Sequence, residues 1–199
     1  MNSSIMLASG SKIRAELLRN AGIDFSVMLP RIDEESVKAA LLADEAAPRD
    51  VADTLAEMKA RKVSDKNPGS MVIGCDQVLE HRGALLSKAS TKEEAESQLK
   101  ALRNDRHSLL SAVVVCQDGK PIWRHVGVVR LQMRDFSDAF LEGYLERNWP
   151  DISESVGSYK LEAEGVRLFS RIEGDYFSVL GLPMLELLGW LTVRGDVQG

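Results

Sequence analysis

At 199 residues the chain is long enough to bury its own hydrophobic core, and we expect one domain over residues 1–193 with a frayed tail at 194–199. Hydrophobic residues make up 44% of the chain and charged residues 28%, which is typical of a globular domain. The formal net charge of -5 provides no positive field that would collect DNA or RNA, so a nucleic-acid partner is not expected.

The sequence also bears on cellular location and membrane association. No apolar run approaches membrane-spanning length, and the N-terminus lacks the basic region of a signal peptide, so no membrane partner is expected. Cys75 and Cys116 both lie in apolar, strand-like runs, which predicts buried reduced thiols and a cytoplasmic location. The three histidines show no metal-ligand spacing, so a structural zinc site is not expected.

The first half of the chain predicts alternating strands and helices. In chain order we predict a strand at 4–7, a helix at 12–21, a strand at 25–29, an acidic loop at 32–35, a helix at 48–64 and a strand at 71–75. Lys59 interrupts an otherwise apolar row of the 48–64 helix. Asp76 follows the last strand, and the carboxyl ends of strands are where open α/β sheets bind ligands.

The second half continues the pattern. We predict a helix at 91–102 with a capping box of Thr91 and Glu94, strands at 109–116 and 122–133, a helix at 137–147, strands at 166–172 and 176–180, and a last helix that starts at 181–183 and ends near 192. These elements predict an α/β fold in a single domain.

The turn after the first strand is a candidate phosphate site. Ser9 and Ser11 flank Gly10 immediately before a helix, whose first N–H groups and dipole favour an anion. Both hydroxyls can donate to phosphate, and Arg14 adds a guanidinium fork in the first helical turn. The alternative is a simple helix cap followed by an ordinary surface arginine.

Four further charged side chains are candidates. Lys59 could bind phosphate, or it could extend along the edge of an amphipathic helix towards solvent. Asp76 ends a buried strand, so its carboxylate must be solvated, paired or in a cleft; it could activate water, hold a divalent metal or cap a turn. Glu34 could be a second metal or water ligand, and Lys88 a third cation. Taken alone, Glu34 is typical of a solvated loop acid and Lys88 of an exposed lysine.

Six motifs follow one another along the chain. They are Leu7-Ala8-Ser9-Gly10-Ser11-Lys12-Ile13-Arg14, Asp33-Glu34, Leu55-Ala56-Glu57-Met58-Lys59-Ala60, Gly74-Cys75-Asp76, Gly83-Ala84-Leu85-Leu86-Ser87-Lys88 and Gly181-Leu182-Pro183. Together they resemble the Maf family of nucleoside triphosphate pyrophosphatases from residue 7 to about residue 191. One position departs from the pattern, because Ala89 stands where the family usually has proline.

The resemblance implies hydrolysis of a nucleoside triphosphate between its α and β phosphorus atoms, which gives a monophosphate and pyrophosphate. Asp76 would accept the proton of the attacking water. The resemblance also implies a divalent cation, Mg²⁺ or Mn²⁺, with Asp76 and Glu34 as metal ligands. The triphosphate-binding residues would be Ser9, Ser11, Arg14, Glu34, Lys59 and Lys88. The implied fold is a mixed, twisted sheet flanked by helices, as in inosine triphosphate pyrophosphatases, and the family suggests a homodimer.

Two positions bear on the nucleobase. Gln77 stands where dTTP- and UTP-directed members carry threonine, and Glu162 stands where they carry glutamine. The Asp76-Gln77 pair and the Lys160–Gly165 segment are instead similar to the 7-methyl-GTP-directed subgroup. A glutamate also matches the N–H donors on the Watson–Crick edge of guanine. We therefore expect Gln77 and Glu162 to contact substrate and to choose the base.

Two alternatives to an active enzyme stay open at this point. Ile13 stands where dTTP- and UTP-directed members carry the first of two arginines. The substitutions at Ile13, Gln77 and Glu162 leave room for a nucleotide-binding regulator of cell division that keeps the fold and has weak catalysis. Arg130, Gln132 and Arg134 alternate along one wet face of a strand and could bind RNA, although the acidic balance of the chain argues against it.

Overall fold

The computed structural model describes residues 4–198, and its strands form one mixed sheet. They are β1 (Ile5–Ala8), β2 (Ser26–Val27), β3 (Met71–His81), β4 (Ala84–Leu86), β5 (Arg106–Gln117), β6 (Lys120–Met133) and β7 (Phe169–Glu173). The strand order is β2-β1-β3-β5-β6-β7, with β4 beside β3. β1 pairs in parallel with β2 and β3, whereas β4 and β7 pair antiparallel with their neighbours. The α/β class and the mixed sheet are confirmed.

The helices begin where the sequence supplies caps. They are α1 (Lys12–Asn20), α2 (Glu34–Ala43), α3 (Pro48–Ser64), α4 (Lys92–Leu102), α5 (Asp138–Asn148), α6 (Tyr176–Val179) and α7 (Met184–Arg194), with 3₁₀ turns at Asp151–Glu154 and Glu164–Leu168. The side chains of Ser11 and Thr91 each accept a hydrogen bond from the backbone N–H three residues later, so both predicted caps are confirmed. Within residues 4–198, no helix combines the length and apolar character needed to cross a bilayer.

Two helices were not expected. The predicted acidic loop at 32–35 is wrong, because Asp33 caps α2 through a 3.1 Å hydrogen bond from the backbone N–H of Ser36. The predicted strand at 176–180 is also wrong. Asp175 accepts a 2.7 Å hydrogen bond from the backbone N–H of Ser178 and starts the short helix α6. In both places a local side-chain cap selects the helical turn.

β3 is longer than the predicted strand at 71–75. Val78 and Leu79 are almost fully buried, and Leu79 pairs with β4. The apolar run therefore continues past Asp76 to His81. Asp76 consequently lies inside a strand and not at its carboxyl end, which corrects the expected setting of this carboxylate.

The described chain divides into two compact units. The first unit contains the chain up to Gln77, Ser111–Gly127 and the chain from Gly181 on; the second contains Val78–Leu110 and Val128–Leu180. The domain at 1–193 and the tail at 194–199 stay predictions. Their ends, residues 1–3 and 199, lie outside the described residues.

In the first unit, α3 packs against α2 and β1, and it also approaches β3 closely. A Cβ atom added to Gly74 would lie 2.3 Å from the carbonyl oxygen of Ala56 and 2.6 Å from the nitrogen of Ala60. Gly74 also pairs with Ala8 of β1. The missing side chain at position 74 therefore lets the strand and the helix meet backbone to backbone.

The second unit has its own apolar core, built around Leu79, Leu99, Leu102, Leu109, Val129, Leu131, Leu141, Tyr144, Leu168 and Phe169. Glu164 organises one edge of this unit. Its carboxylate accepts hydrogen bonds from Arg147 at 2.7 Å, Asn148 at 2.9 Å and Arg167 at 2.9 Å. These bonds, with Arg147 the largest contributor, lower the pKa of Glu164 to about 2. They fix the 3₁₀ turn at Glu164–Leu168 to α5.

His107 makes the second unit sensitive to acid. It is 3% exposed, its Nε2 lies 2.8 Å from the hydroxyl of Tyr159, and its Nδ1 has no hydrogen-bond partner among residues 4–198. Burial, with a smaller contribution from His81 and an opposing one from Asp105, lowers the pKa of His107 to about 4. Since an unfolded histidine titrates near about 6.5, the stability that neutral His107 contributes is present above that pH and is lost as the pH falls towards about 4.

We expect this loss to be about 3 kcal/mol, the value of a pKa difference of about 2.5 units. Urea unfolding of the wild type and of His107→Gln, measured between pH 7 and pH 4, checks it, because the variant should lose that much less stability over the interval. His125→Gln is the control, since this histidine keeps 35% of its side chain exposed. If the free energy of unfolding depends equally on pH in the wild type and in His107→Gln, the acid sensitivity does not come from His107.

Candidate active site

The turn between β1 and α1 has the form expected of a phosphate site. Ser11 caps α1 by accepting a 3.4 Å hydrogen bond from the backbone N–H of Arg14. Ser9 is 6% exposed, and its hydroxyl accepts a 3.2 Å hydrogen bond from the backbone N–H of Ser11. The two serines therefore shape the turn and present a helix N-terminus, which attracts anions.

Arg14 joins three segments of the first unit. Its Nε donates to the carbonyl oxygen of Gly181 at 2.8 Å. Its Nη1 donates to the carbonyl oxygen of Cys75 at 3.1 Å and to the hydroxyl of Ser9 at 3.4 Å. The guanidinium is thus oriented by the turn before α1, by β3 and by the turn before α7, and the alternative of an ordinary surface arginine is wrong.

Lys59 is buried on the inward row of α3. Val51, Leu55 and Val63 on the same row are 0%, 3% and 2% exposed, and Lys59 itself is 6% exposed, so its side chain does not extend to solvent. Its Nζ instead donates to Asp76 Oδ1 and to Glu34 Oε2, each at 2.7 Å. One ammonium group therefore holds two carboxylates together.

The two carboxylates differ in exposure. Asp76 is 7% exposed, whereas the side chain of Glu34 at the start of α2 is 49% exposed. Burial raises the pKa of Asp76 above its ordinary value, although Lys59 and Arg14 act in the opposite direction. Asp76 is therefore more basic than an exposed aspartate, as a general base requires.

Cys75 does not belong to the reactive groups. Its side chain is fully buried in β3, and this burial raises the pKa of its thiol to about 11. A neutral thiol is a poor nucleophile. Its neighbour Asp76 carries the ionisable carboxylate of this part of β3.

The side chain of Gln77 has a protein partner. Its Nε2 donates to the hydroxyl of Ser111 on β5 at 2.8 Å. Successive residues of a strand point to opposite faces of the sheet, so Gln77 lies on the face opposite to Asp76 and Lys59. The predicted contact of Gln77 with the base stays a prediction.

Lys88 and Glu162 belong to the second unit. Lys88 is exposed between β4 and α4, and Glu162 is exposed just before the 3₁₀ turn at Glu164–Leu168. Their roles in substrate binding stay predictions. The first unit by itself brings together Ser9, Ser11 and Arg14 in one group and Glu34, Lys59 and Asp76 in another.

The donor chemistry of Glu34 and Asp76 fits Mg²⁺ or Mn²⁺. Both cations prefer carboxylate oxygens, and Mg²⁺ is commonly held by one or two carboxylates together with substrate phosphates. Among the described residues, no group of three or more histidine, cysteine, aspartate and glutamate side chains forms a metal cage. The residues therefore fit a cation that shares its ligands with phosphate oxygens.

Sequence comparisons show relatives along the whole chain. The family model for Maf-like proteins matches residues 4–193. A nucleoside triphosphate pyrophosphatase of Roseobacter denitrificans is 66% identical over 197 residues, which is 99% of each chain. A protein of the same name from Ruegeria pomeroyi is 61% identical over 198 residues, and a 7-methyl-GTP pyrophosphatase of Brucella abortus biovar 1 is 46% identical over 199 residues, each match covering 100% of both chains.

Proposed function

The chain belongs to the family of Maf-like proteins, and from this premise we propose that it is a nucleoside triphosphate pyrophosphatase, a hydrolase that cleaves the α–β phosphoanhydride. The observation that carries the proposal is the buried Lys59, which contacts Asp76 and Glu34 at 2.7 Å each. Relatives that are 61% and 66% identical bear the name of such an enzyme, so a regulator with weak catalysis is not favoured.

Each residue of the site has a separate role in the proposed hydrolysis. Lys59 bonds Oδ1 of Asp76, which leaves Oδ2 to accept the proton of the attacking water. Lys59 and Arg14 stabilise negative charge on the phosphates, and the N-terminus of α1 adds its dipole. A divalent cation, when bound by Glu34 and Asp76, would neutralise phosphate charge and polarise the bond to be cleaved. Monophosphate and pyrophosphate leave as products.

Pyrophosphate release from a panel of triphosphates tests this function. The panel contains 7-methyl-GTP, GTP, UTP and dTTP, each with Mg²⁺, with Mn²⁺ and with EDTA. We expect turnover of at least one nucleotide, dependence on the cation, and pyrophosphate in a 1:1 ratio to monophosphate. Release of inorganic phosphate alone, or no turnover of any nucleotide, would contradict the proposal.

The preference for 7-methyl-GTP is the finer part of the proposal. It is supported by the Brucella abortus relative of that name, which is 46% identical, and by Glu162, whose carboxylate suits the donors of guanine. Substitution of Glu162 by Gln should therefore lower kcat/KM for 7-methyl-GTP more than for UTP. An equal effect on both nucleotides would remove Glu162 from base recognition.

Lys59 should also control access of the cation. Removing its positive charge from beside Glu34 and Asp76 leaves two carboxylates that attract a metal, so Lys59→Met should bind Mn²⁺ at least about tenfold more tightly than the wild type without nucleotide. Calorimetric titration with Mn²⁺ measures this affinity. Lys62→Met, on the exposed side of α3, is the matched control and should bind like the wild type. Equal affinity in both variants would contradict a metal role for the two carboxylates.

The proposed cellular location and oligomeric state of the protein rest on features outside the candidate site. Cys75 and Cys116 are both free and buried, which supports the cytoplasmic location expected from the sequence. The homodimer suggested by the family stays a prediction. Size-exclusion chromatography with light scattering measures the mass in solution against the 21.9 kDa of one chain.

A further inference from the structure

The turn Gly181-Leu182-Pro183 matches a family motif, yet none of its residues carries a reactive group. All three residues are buried, directly before α7. Gly181 has a φ of +94°, which is a backbone conformation that favours glycine. Its carbonyl oxygen accepts the 2.8 Å hydrogen bond from Arg14 Nε. The turn therefore contacts Arg14, which together with Ser9 and Ser11 forms the candidate phosphate site.

The hydrogen bonds of Arg14 leave one arm of its guanidinium available. A guanidinium has five N–H donors, of which one is on Nε and two are on each terminal nitrogen. Nε donates to Gly181, and Nη1 donates to Cys75 and Ser9. No residue among 4–198 accepts a hydrogen bond from Nη2. Nη2 is consequently the donor that can reach a phosphate oxygen.

The missing side chain of Gly181 makes room for this arm. A Cβ atom at position 181 would lie 3.0 Å from Arg14 Nη2 and 3.1 Å from Nε. These distances are shorter than ordinary van der Waals contacts between carbon and nitrogen, so the guanidinium would have to move by a few tenths of an ångström. The movement would lengthen the bond to the Gly181 carbonyl and turn Nη2 away from its present direction.

We propose that Gly181 is a positioning residue for the triphosphate, which acts through Arg14 by accepting its Nε–H and by leaving space beside Nη2. The inference rests on the proposed function, since it takes Arg14 as a ligand of the triphosphate. Gly181 would thus influence triphosphate binding although it has no side chain.

A double-mutant cycle on Gly181→Ala and Arg14→Ala tests the proposal. Gly181→Ala should lower kcat/KM at least about tenfold, which is the loss of one charge-assisted hydrogen bond. In the Arg14→Ala background the same substitution should have almost no further effect, because Gly181 acts through that arginine. Equal losses in the two backgrounds would overturn the proposal.

Gly195→Ala is the matched control for backbone strain. Gly195 has a φ of +80°, and no atom lies within 4 Å of an added Cβ. It should lose stability through the positive φ but keep wild-type kcat/KM. If Gly181→Ala does not fold, Gly181→Asn and Gly195→Asn replace the pair, because asparagine tolerates positive φ better than alanine. Identical kcat/KM in the substituted pair would overturn the proposal.

A second measurement separates this inference from the proposed function. The Nε–H signal of Arg14 in ¹⁵N NMR should exchange slowly with water in the wild type and in Gly195→Ala, and quickly in Gly181→Ala. If the wild type hydrolyses no triphosphate, the cycle is repeated on the affinity for inorganic pyrophosphate. Slow exchange in Gly181→Ala, or an unchanged pyrophosphate affinity, would then overturn the positioning role on its own.

Discussion

Replacing Asp76 by Asn is expected to lower kcat for pyrophosphate release by about 10²–10⁴-fold, the usual contribution of a general base. The amide cannot accept the proton of the attacking water, while the hydrogen bond of Lys59 to Glu34 at 2.7 Å remains. Steady-state release of pyrophosphate, with saturating nucleotide and Mg²⁺, measures the loss. A kcat within about tenfold of the wild type would assign the proton to another group.

The same substitution should not destabilise the protein in EDTA buffer. Burial raises the pKa of Asp76 in the folded chain above that of the unfolded chain. Protonated Asp76 thus contributes stability below the unfolded pKa, and this contribution is lost as the pH rises through the folded pKa. Once the pH exceeds the folded pKa the wild type has lost it, whereas asparagine stays neutral at every pH. Urea unfolding over a pH series should therefore show the free energy of unfolding of Asp76→Asn rising relative to that of the wild type as the pH increases.

Asp24→Asn is the control for both measurements, because Asp24 is exposed in the first unit. It should change neither kcat nor the free energy of unfolding. If Asp76→Asn loses activity and unfolds more easily than Asp24→Asn, the loss of activity reflects damage to the fold and the role of general base is contradicted.

Local periodicity was sufficient to find Lys59. Its position on the apolar row of α3 follows from helical spacing alone, and in the structure the residue is 6% exposed. Spacing could not show where the ammonium finds its partners. Glu34 lies 25 residues away along the chain, in an acidic run that predicts a loop, whereas Asp33 caps a helix there.

Contacts between distant segments were beyond the reach of sequence patterns. The Arg14–Gly181 hydrogen bond joins residues 167 positions apart, and nothing local to either residue indicates it. The extension of β3 beyond Asp76 depends on pairing with β4, which only the folded chain reveals. Sequence therefore predicted most of the elements and singled out Asp76 as a candidate, whereas the orientation of Arg14 and Lys59 comes from tertiary contacts.

Gly74 links the fold to the site, since it sets how closely α3 and β3 approach. Ala56 and Ala60 on α3 contact the position of its absent side chain, and Lys59 lies between them in sequence. Asp76 is two residues further along β3 and faces the same side of the sheet. The distance from strand to helix at Gly74 therefore determines whether Lys59 and Asp76 can meet at 2.7 Å.

Gly74→Ala is expected to destabilise the protein by about 3 kcal/mol or more, because overpacking against rigid backbone costs at least as much as inserting a methyl group into a packed core. An added Cβ would lie 2.3 Å from Ala56 O, 2.6 Å from Ala60 N and 2.8 Å from Ala60 Cβ. The helix must move away from the strand, so kcat/KM should also fall as Lys59 separates from Asp76. Urea unfolding and pyrophosphate release measure the two effects.

Gly189→Ala is the control, because the same change from glycine to alanine is expected to stabilise the protein at this position. Gly189 is exposed inside α7, and no atom lies within 4 Å of an added Cβ. Alanine there should stabilise the protein by about 0.5–1 kcal/mol, since it restricts the unfolded chain and favours the helix. Activity should be unchanged. If both variants shift the unfolding midpoint in the same direction, the close approach of α3 to β3 is not what requires glycine at position 74.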